Sequence, residues 1–517
     1  MRKIIYVLQV MGFVASIAFG ARILGVFPLP SKSHQMIYRS LMRGLQSRGH
    51  EIVTITTDPM WDRDVKNFTE IDMSISAEYW EKRYSFAAQK EGSMGVIDLI
   101  SNMAKLVTDT CRIMFENPHV QRLLHEENHF DVVIVEWVGS VCSNAYAYHF
   151  SAPLIGISPF ALFYSGHDSV ANPTNPAYIT DINIPFTDRA TFWERLVRFL
   201  YSLWFRYIWF MVVVPAQDEF AKKYFRRDLP YVGDLEKNVS ILLVNYESKI
   251  AYIQPNVPAV VQIGGIHLRE PRPLPTDLQT FLDGAPEGVI YFSLGTNLRN
   301  GTLTGDTRQM FLDVFKELPQ FRVLWKWETD QLPGQPSNVK VAKWLPQQDL
   351  LHHPNIKVFI YHGGLQSTLE AIRAKVPLIC IPFFGDQHLN VRKIAEEGAG
   401  VALDLDKLTK PTIKAVLTEV IYNPTYKENM RKMSTRLSDQ PDSPLDRAVW
   451  WIEYVIRHKG ARHLRSAAMD LAWYQYLLLD VFAVIVIAFI VIIWIIYRCI
   501  RFMKKIQLSL HKKLKVT

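Results

Sequence analysis

Two hydrophobic periods alternate along the chain. Residues 22–27 (Arg-Ile-Leu-Gly-Val-Phe) are a short apolar run rich in branched side chains, which predicts a buried strand. A loop over residues 28–33 follows, and then Met36, Ile37, Leu41, Met42 and Leu45 recur at helical spacing as far as Gly49. Residues 51–56 return to a strand pattern. Strand, about a dozen helical residues and strand make a parallel βαβ unit. Residues 131–136 and 153–157 read as further strands of that sheet, and a second set follows at 288–294, 321–326, 339–342, 357–361 and 378–381. The last two strands of the second set flank a helix at 365–374.

Between the two sets, Arg269-Glu-Pro-Arg-Pro-Leu-Pro275 supplies three prolines and predicts a semi-rigid connector. The expected architecture is α/β: two doubly wound domains, 21–270 and 277–445, facing each other across a cleft, with helices over 446–476. Ligands of such sheets sit at the C-terminal ends of the strands. Residues 192–214 fit neither set. They are aromatic and apolar but carry Glu194, Arg195, Arg198 and Arg206, too many charges to span a bilayer easily. A helix at a membrane surface or over an apolar pocket is one expectation, and a plain core helix is the other.

The charge of the chain changes the picture only at its ends. Of the net +8, residues 1–20 hold +2 and residues 481–517 hold +7, so the body between them is at −1. Nothing in that body reads as a nucleic-acid surface. Arg2 and Lys3, the apolar run 4–19 and the small residues around Gly20 predict a cleaved secretory signal over 1–20. Residues 477–497 approach the ~20 apolar positions that a helix needs to cross a bilayer, and the basic tail 498–517 marks the cytoplasmic side. The expected topology is single-pass type I with the body in the lumen. Sequons at Asn67, Asn238 and Asn300 agree with it, and Lys513 and Lys515 resemble a retrieval signal of endoplasmic-reticulum membrane proteins. Cys111, Cys142, Cys380 and Cys499 have no metal-ligand spacing and are read as forming no disulfide framework. No metal site is expected, and a homo-oligomer is left open.

The chemistry concentrates in residues 344–387. A strand ending at Tyr361 runs into His362-Gly363-Gly364, where the backbone can approach a ligand closely. A helix then begins near Leu365, and its free N–H groups and dipole suit a diphosphate. Ser367 and Glu370 alone would satisfy a capping box. In concert, Trp344, Pro346, Gln347, His362, Gly364, Ser367, Glu370, Pro377, Pro382, Asp386 and Gln387 resemble the signature of the UDP-glycosyltransferase family, at its spacing and over more than forty residues. The resemblance implies the GT-B fold, a UDP-sugar as co-substrate, and no metal or other cofactor. It also implies roles: Trp344 stacks on uracil and Gln347 bonds its edge; His362, Gly364 and Ser367 hold phosphate oxygens; Glu370 takes the ribose hydroxyls; Asp386 and Gln387 take the sugar. Gln366 stands where relatives often have Asn, and Tyr361 where Thr or Ser is usual. Ser293, Gly295 and Thr296 resemble the family's phosphate loop.

The other half carries the candidate base. In Pro30-Ser31-Lys32-Ser33-His34-Gln35 a helix starts, with Ser33 as its expected cap. His34 falls in the first turn, where the dipole favours a neutral imidazole able to take a proton. The family has its catalytic His at this place, partnered by an Asp where this chain has Glu136. Asp131 is the alternative carboxylate, at the wrong end of its strand. The resemblance therefore implies inverting hexosyl transfer, glucose first, to a hydroxyl of a small lipophilic acceptor. Glucuronosyl transfer, membrane-lipid glycosylation and a lumenal lipophile-binding protein on the same fold are the alternatives.

Overall fold

The computed structural model describes residues 20–60, 65–83, 95–225, 228–296 and 303–514. The leader at 1–19, the sequon at Asn300 and Lys515 lie outside them. Thirteen strands are present among the described residues. They are β1 Arg22–Phe27, β2 Glu51–Thr56, β3 Phe68–Asp72, β4 Val132–Glu136, β5 Leu154–Ser158, β6 Val239–Val244, β7 Val260–Gln262, β8 Val289–Ser293, β9 Arg322–Lys326, β10 Val339–Ala342, β11 Ile356–Tyr361, β12 Leu378–Cys380 and β13 Gly400–Ala402. They form two wholly parallel sheets, β3-β2-β1-β4-β5-β6-β7 and β10-β9-β8-β11-β12-β13. The expected doubly wound α/β pair is therefore the fold. β3, β6, β7 and β13 were not expected.

In both sheets the strand order reverses between the first strand and its later neighbour, β1 beside β4 and β8 beside β11. Crevices for ligands open at such switch points, past the C-terminal strand ends. His34 and Glu136 follow or end the pair β1 and β4, and Ser293 and His362 end or follow the pair β8 and β11.

Side-chain alternation sets the layers. On one face of the first sheet, Leu24, Val26, Val133 and Val135 pack with Met114 and Phe115 of α1 (Val96–Glu116). On the other, Ile23, Phe27 and Ile134 pack with Ile37, Leu41 and Leu45 of the helix Lys32–Ser47. The helix Pro444–Arg457 joins that second face through Val449, Ile452 and Val455, so the chain returns from the second sheet to cover the first. The connector is fixed at its start: Arg269 makes a bidentate pair with Asp349 at 2.6 and 2.7 Å, and Asp349 also accepts from the Arg272 N–H at 2.7 Å.

Residues 192–224 form one continuous helical segment: Phe192–Ile208 with a Thr191/Glu194 capping box, a π-helical stretch at Trp209–Val213, and Val214–Tyr224. Phe205, Ile208, Trp209 and Val213 face a cavity described below, while Phe192, Trp193, Leu200, Tyr207 and Met211 are exposed. The segment covers a pocket with one side and is not a plain core helix.

The cysteine reading needs correction. Cys111 and Cys142 form a disulfide across 31 residues. The bridge depends on the loop after β4 lying against the helix Val96–Glu116, which spacing along the chain does not reveal. Cys380 is free and buried, and Cys499 is free and exposed. Asn67 and Asn238 are both exposed, Asn67 with a left-handed φ of 58°.

Residues 466–517 are a separate compact unit. Its main element is a helix, Leu479–Leu514, of 36 residues, long and apolar enough to cross a membrane. It starts two residues later than expected and continues through Arg498, Arg501, Lys504 and Lys505.

Candidate active site

Glu136 is 1% exposed and sits at the end of β4, facing the start of the Lys32–Ser47 helix. His34 Nδ1 lies 3.0 Å from its Oε1. Because a carboxylate only accepts, Nδ1 carries a proton, and in the neutral ring Nε2 keeps its lone pair. Two further donors hold the carboxylate. The Tyr38 hydroxyl donates to Oε1 at 2.8 Å, and the Leu29 N–H donates to Oε2 at 3.2 Å. Burial and the neighbouring carboxylate keep the Tyr38 phenol well above its ordinary range, so it remains an O–H donor. The extra methylene of Glu is thus absorbed by a cradle of three donors. Asp131 is at the opposite end of the sheet, accepting from the Arg22 N–H at 2.8 Å.

The helix begins two residues earlier than expected. Ser31, not Ser33, occupies the cap position, and no side-chain cap bond forms. Ser33 lies inside the first turn, with its hydroxyl 3.1 Å from that of Ser31. His34 keeps its place in that turn, since its own N–H donates to the Ser31 carbonyl.

In the other domain, Gln347 links several of the expected residues. Its Nε2 donates to Ser367 Oγ at 2.9 Å and to Glu370 Oε2 at 2.6 Å, and its Oε1 accepts from Tyr291 at 2.9 Å. The capping box is not formed: the helix Leu365–Ala374 is capped by Gly364 without a side-chain bond. Burial raises the Glu370 carboxyl to about 7, against donors on Gln347 and Gln348. Trp344, three residues before Gln347 in the chain, is 60% exposed, with Lys32 Nζ of the opposite domain 5.8 Å from its ring centre.

The two glycine turns clasp one imidazole. A Cβ on Gly295 would lie 2.6 Å from His362 Cε1, and one on Gly364 would lie 2.5 Å from His362 Nε2. Gly295 also has a φ of +82°. Neither position accommodates a side chain. Burial and Lys326 lower His362 to about 4, so the ring is neutral. Ser293 is buried and accepts from the Gly295 N–H at 3.3 Å, and Thr296 follows it. Asp386 occupies the N-cap position of the helix Gln387–Glu396 without a side-chain cap bond and accepts from Asn390 at 2.8 Å. Gln387 Oε1 accepts from the Phe383 and Phe384 N–H groups, which fixes its amide. Gln366 differs from expectation. Its amide donates across the domains to the Pro159 carbonyl at 3.0 Å, leaving its oxygen for any other partner.

One cavity joins the halves. His34, Leu29 and Phe160 line it from the first domain; His362, Gly364, Asp386 and Gln387 line it from the second. A family profile described as UDP-glucoronosyl and UDP-glucosyl transferase matches residues 23–514. The chain belongs to this family. It is 38% identical over 489 residues to UDP-glucosyltransferase 2 of Dactylopius coccus, covering 93% of each chain. It is 31% identical to UDP-glucuronosyltransferase 1A7 of Mus musculus, covering 90% of this chain and 89% of that one. Among solved structures it resembles the glycosyltransferase SnogD from Streptomyces nogalater, with TM-score 0.55 and 16% identity, over 84% of this chain and 99% of that one. The fold is thus GT-B and the protein a UDP-glycosyltransferase, glucosyl or glucuronosyl.

Several residues of this UDP-glycosyltransferase site were not expected from its sequence. Tyr38 lies four residues after His34, on the same helical face, and that spacing is a usable signal. Lys326 ends β9 and donates to the Gly295 carbonyl at 2.6 Å, bringing a cation to the two glycine turns. His267 is buried 3.7 Å from Glu370, and burial lowers it to about 4. It comes from the stretch just before the connector, and no local pattern marks it.

Proposed function

We propose that this UDP-glycosyltransferase transfers glucose, with inversion, from UDP-glucose to a hydroxyl of a small lipophilic acceptor. The observation that carries the reading is the shared cavity: His34 Nε2, with no protein partner among the described residues, on one wall and the glycine turns with Asp386 and Gln387 on the other. The acceptor hydroxyl gives its proton to Nε2 as its oxygen attacks the anomeric carbon. The bond from that carbon to the diphosphate oxygen breaks, and UDP leaves with its new charge at the start of the Leu365 helix. Glu136 holds His34 in the required tautomer and offsets the imidazolium. Gln347 and Glu370 bind uridine, and Asp386 and Gln387 bind the hexose.

The Leu479–Leu514 helix anchors the enzyme in the endoplasmic-reticulum membrane with its catalytic body in the lumen. The Cys111–Cys142 disulfide favours that oxidising side. The test is a panel of UDP-sugars against simple phenols, on microsomes containing the full chain, sealed and then opened with detergent. UDP-glucose is expected to be the best donor, with activity rising on opening. UDP-glucuronate as the best donor, or no transfer from any, would reject the reading.

Glu370 gives the donor site a pH dependence. Burial raises its carboxyl to about 7, and ribose hydroxyls donate best to the ionised form. Binding below that pH must expel the proton, so UDP affinity falls as pH falls, approaching about tenfold per unit. His362, at about 4, stays neutral throughout pH 5.5–8 and adds nothing. Calorimetry of UDP across that range should show a steeper slope for the parent than for Glu370→Gln. Titration of UDP itself is common to both and cancels. Equal slopes would remove the ribose role.

Transfer should also persist in excess chelator. The helix N-terminus at Leu365, the neutral His362 and the Lys326 ammonium supply the electrostatics that the leaving diphosphate needs. Loss of transfer in chelator and its recovery with magnesium or manganese would contradict this.

A further inference from the structure

The first-domain part of the cavity is almost wholly apolar, with Trp80, Ile100, Met103, Val107, Phe163 and Phe205 among its walls. Ser31 and Ser33 are neighbours of His34 at the start of its helix. The Trp209 indole N–H is directed behind the wall, donating to Glu236 at 3.4 Å. The Trp80 indole N–H is likewise turned onto Thr110, at 3.2 Å, and among the described residues Asn183 is the remaining polar side chain that this domain contributes.

Its amide is held in one orientation. Nδ2 donates to Asp181 Oδ1 at 2.9 Å and lies 3.5 Å from the Tyr201 hydroxyl. Asp181 is itself buried and accepts also from the N–H groups of Asn183 and Tyr164, at 3.0 and 3.2 Å, and from the Tyr201 hydroxyl at 3.1 Å. A group so surrounded by donors requires the NH2 of Asn183, not its oxygen. Oδ1 is therefore the outward atom. It has no protein partner among the described residues, and it is not sealed off in the way the buried unpartnered atoms of the chain are. An otherwise apolar wall thus presents one fixed, unused hydrogen-bond acceptor.

We propose that Asn183 sets acceptor specificity: its Oδ1 accepts a hydrogen bond from a second hydroxyl or N–H on the acceptor. The preferred substrates are then diphenol-like lipophiles, apolar between two donor groups, one of which is glycosylated at His34. The inference rests on the cavity being the acceptor site. Asn183 belongs to the domain opposite the glycine turns, and its partner Tyr201 is on the same helix as Phe205 and Ile208 of the acceptor wall. A site built around such an acceptor discriminates against an analogue that has lost the matching donor.

The test uses rigid diphenols of increasing length (hydroquinone, biphenyl diol, stilbene diol), each against its monomethyl ether. Affinities are measured by calorimetry on the full-length protein in detergent without donor. At least one diphenol should bind about tenfold tighter than its ether, the worth of one well-made buried hydrogen bond. Asn183→Leu should erase that preference while leaving ether binding and UDP-glucose affinity unchanged. Asn183→Ala is measured in parallel, because it keeps the residue 183 N–H on Asp181 and adds no bulk. Unchanged ether binding shows that the pocket is intact in either variant. Parity of every pair in the parent, or a preference that survives both substitutions, would overturn the proposal. So would a loss of UDP-glucose affinity in place of the preference, which would assign Asn183 to the donor. Failure of the glycosyltransfer reading looks different: the phenols bind, but none receives sugar.

Discussion

Replacing His34 by Ala should lower glucosyl transfer by about 10²–10⁴-fold, the usual worth of a general base, and leave UDP affinity unaltered. The two effects separate because base and nucleotide belong to different domains. His34 meets its partner Glu136 at the β1–β4 switch point, whereas Gln347, Ser367 and Glu370 form their own network past β11. The fold should survive the change. Glu136 keeps the Tyr38 hydroxyl and the Leu29 N–H, so no bare charge is left buried. Transfer assays with calorimetry of UDP on the same preparation check this. A variant that retains a substantial fraction of the parent rate would show that another group takes the proton. A parallel loss of UDP affinity would show that His34 supports the closed arrangement of the domains and not only the chemistry.

Much of this site was legible because its residues sit where periodicity changes. Glu136, Ser293 and His362 fall at or just past strand ends and His34 in the first turn of a helix, and a strand end is visible wherever an apolar run stops at Gly, Ser or a charge. Chemistry carried by long-range contacts was not. Tyr38 could have been found by helical spacing, but Lys326 becomes relevant only once β9 lies beside β8. The Gln366 amide is used 207 residues away, on Pro159. The disulfide needed the loop after β4 to fold back on the Val96–Glu116 helix. The strands missed include β7 and β13, three residues each, too short for an alternation to register. In each case the local sequence is ordinary, and the tertiary partner gives the residue its use.

Glu136 should be the most sensitive position after His34, and its variants test more than charge. Its carboxylate receives the His34 Nδ1–H, the Tyr38 O–H and the Leu29 N–H. Glu136→Gln keeps the length but offers one acceptor and one donor to three donors. Either the amide NH2 opposes the Leu29 N–H, which cannot reverse, or it faces Tyr38 and His34. In the second case it stabilises the wrong imidazole tautomer, with the proton on Nε2. The imidazolium formed during transfer also loses its counter-charge. Losing both functions in an analogous triad costs about 10⁴-fold, and a fall of about 10³–10⁴-fold is expected here on that basis. Glu136→Asp keeps the charge but falls a methylene short of the cradle, so its loss should be smaller. Tyr38→Phe separates the two causes, since it removes one donor and leaves His34 paired. Its effect should be the mildest of the three, at most about 1.5–3 kcal/mol, or about 10–10²-fold, the worth of one hydrogen bond to a charged group. Rates at saturating donor and matched expression rank the variants. An order in which Gln equals the parent, or in which Tyr38→Phe is as damaging as Glu136→Gln, would mean that the carboxylate packs the strand ends together without orienting the base.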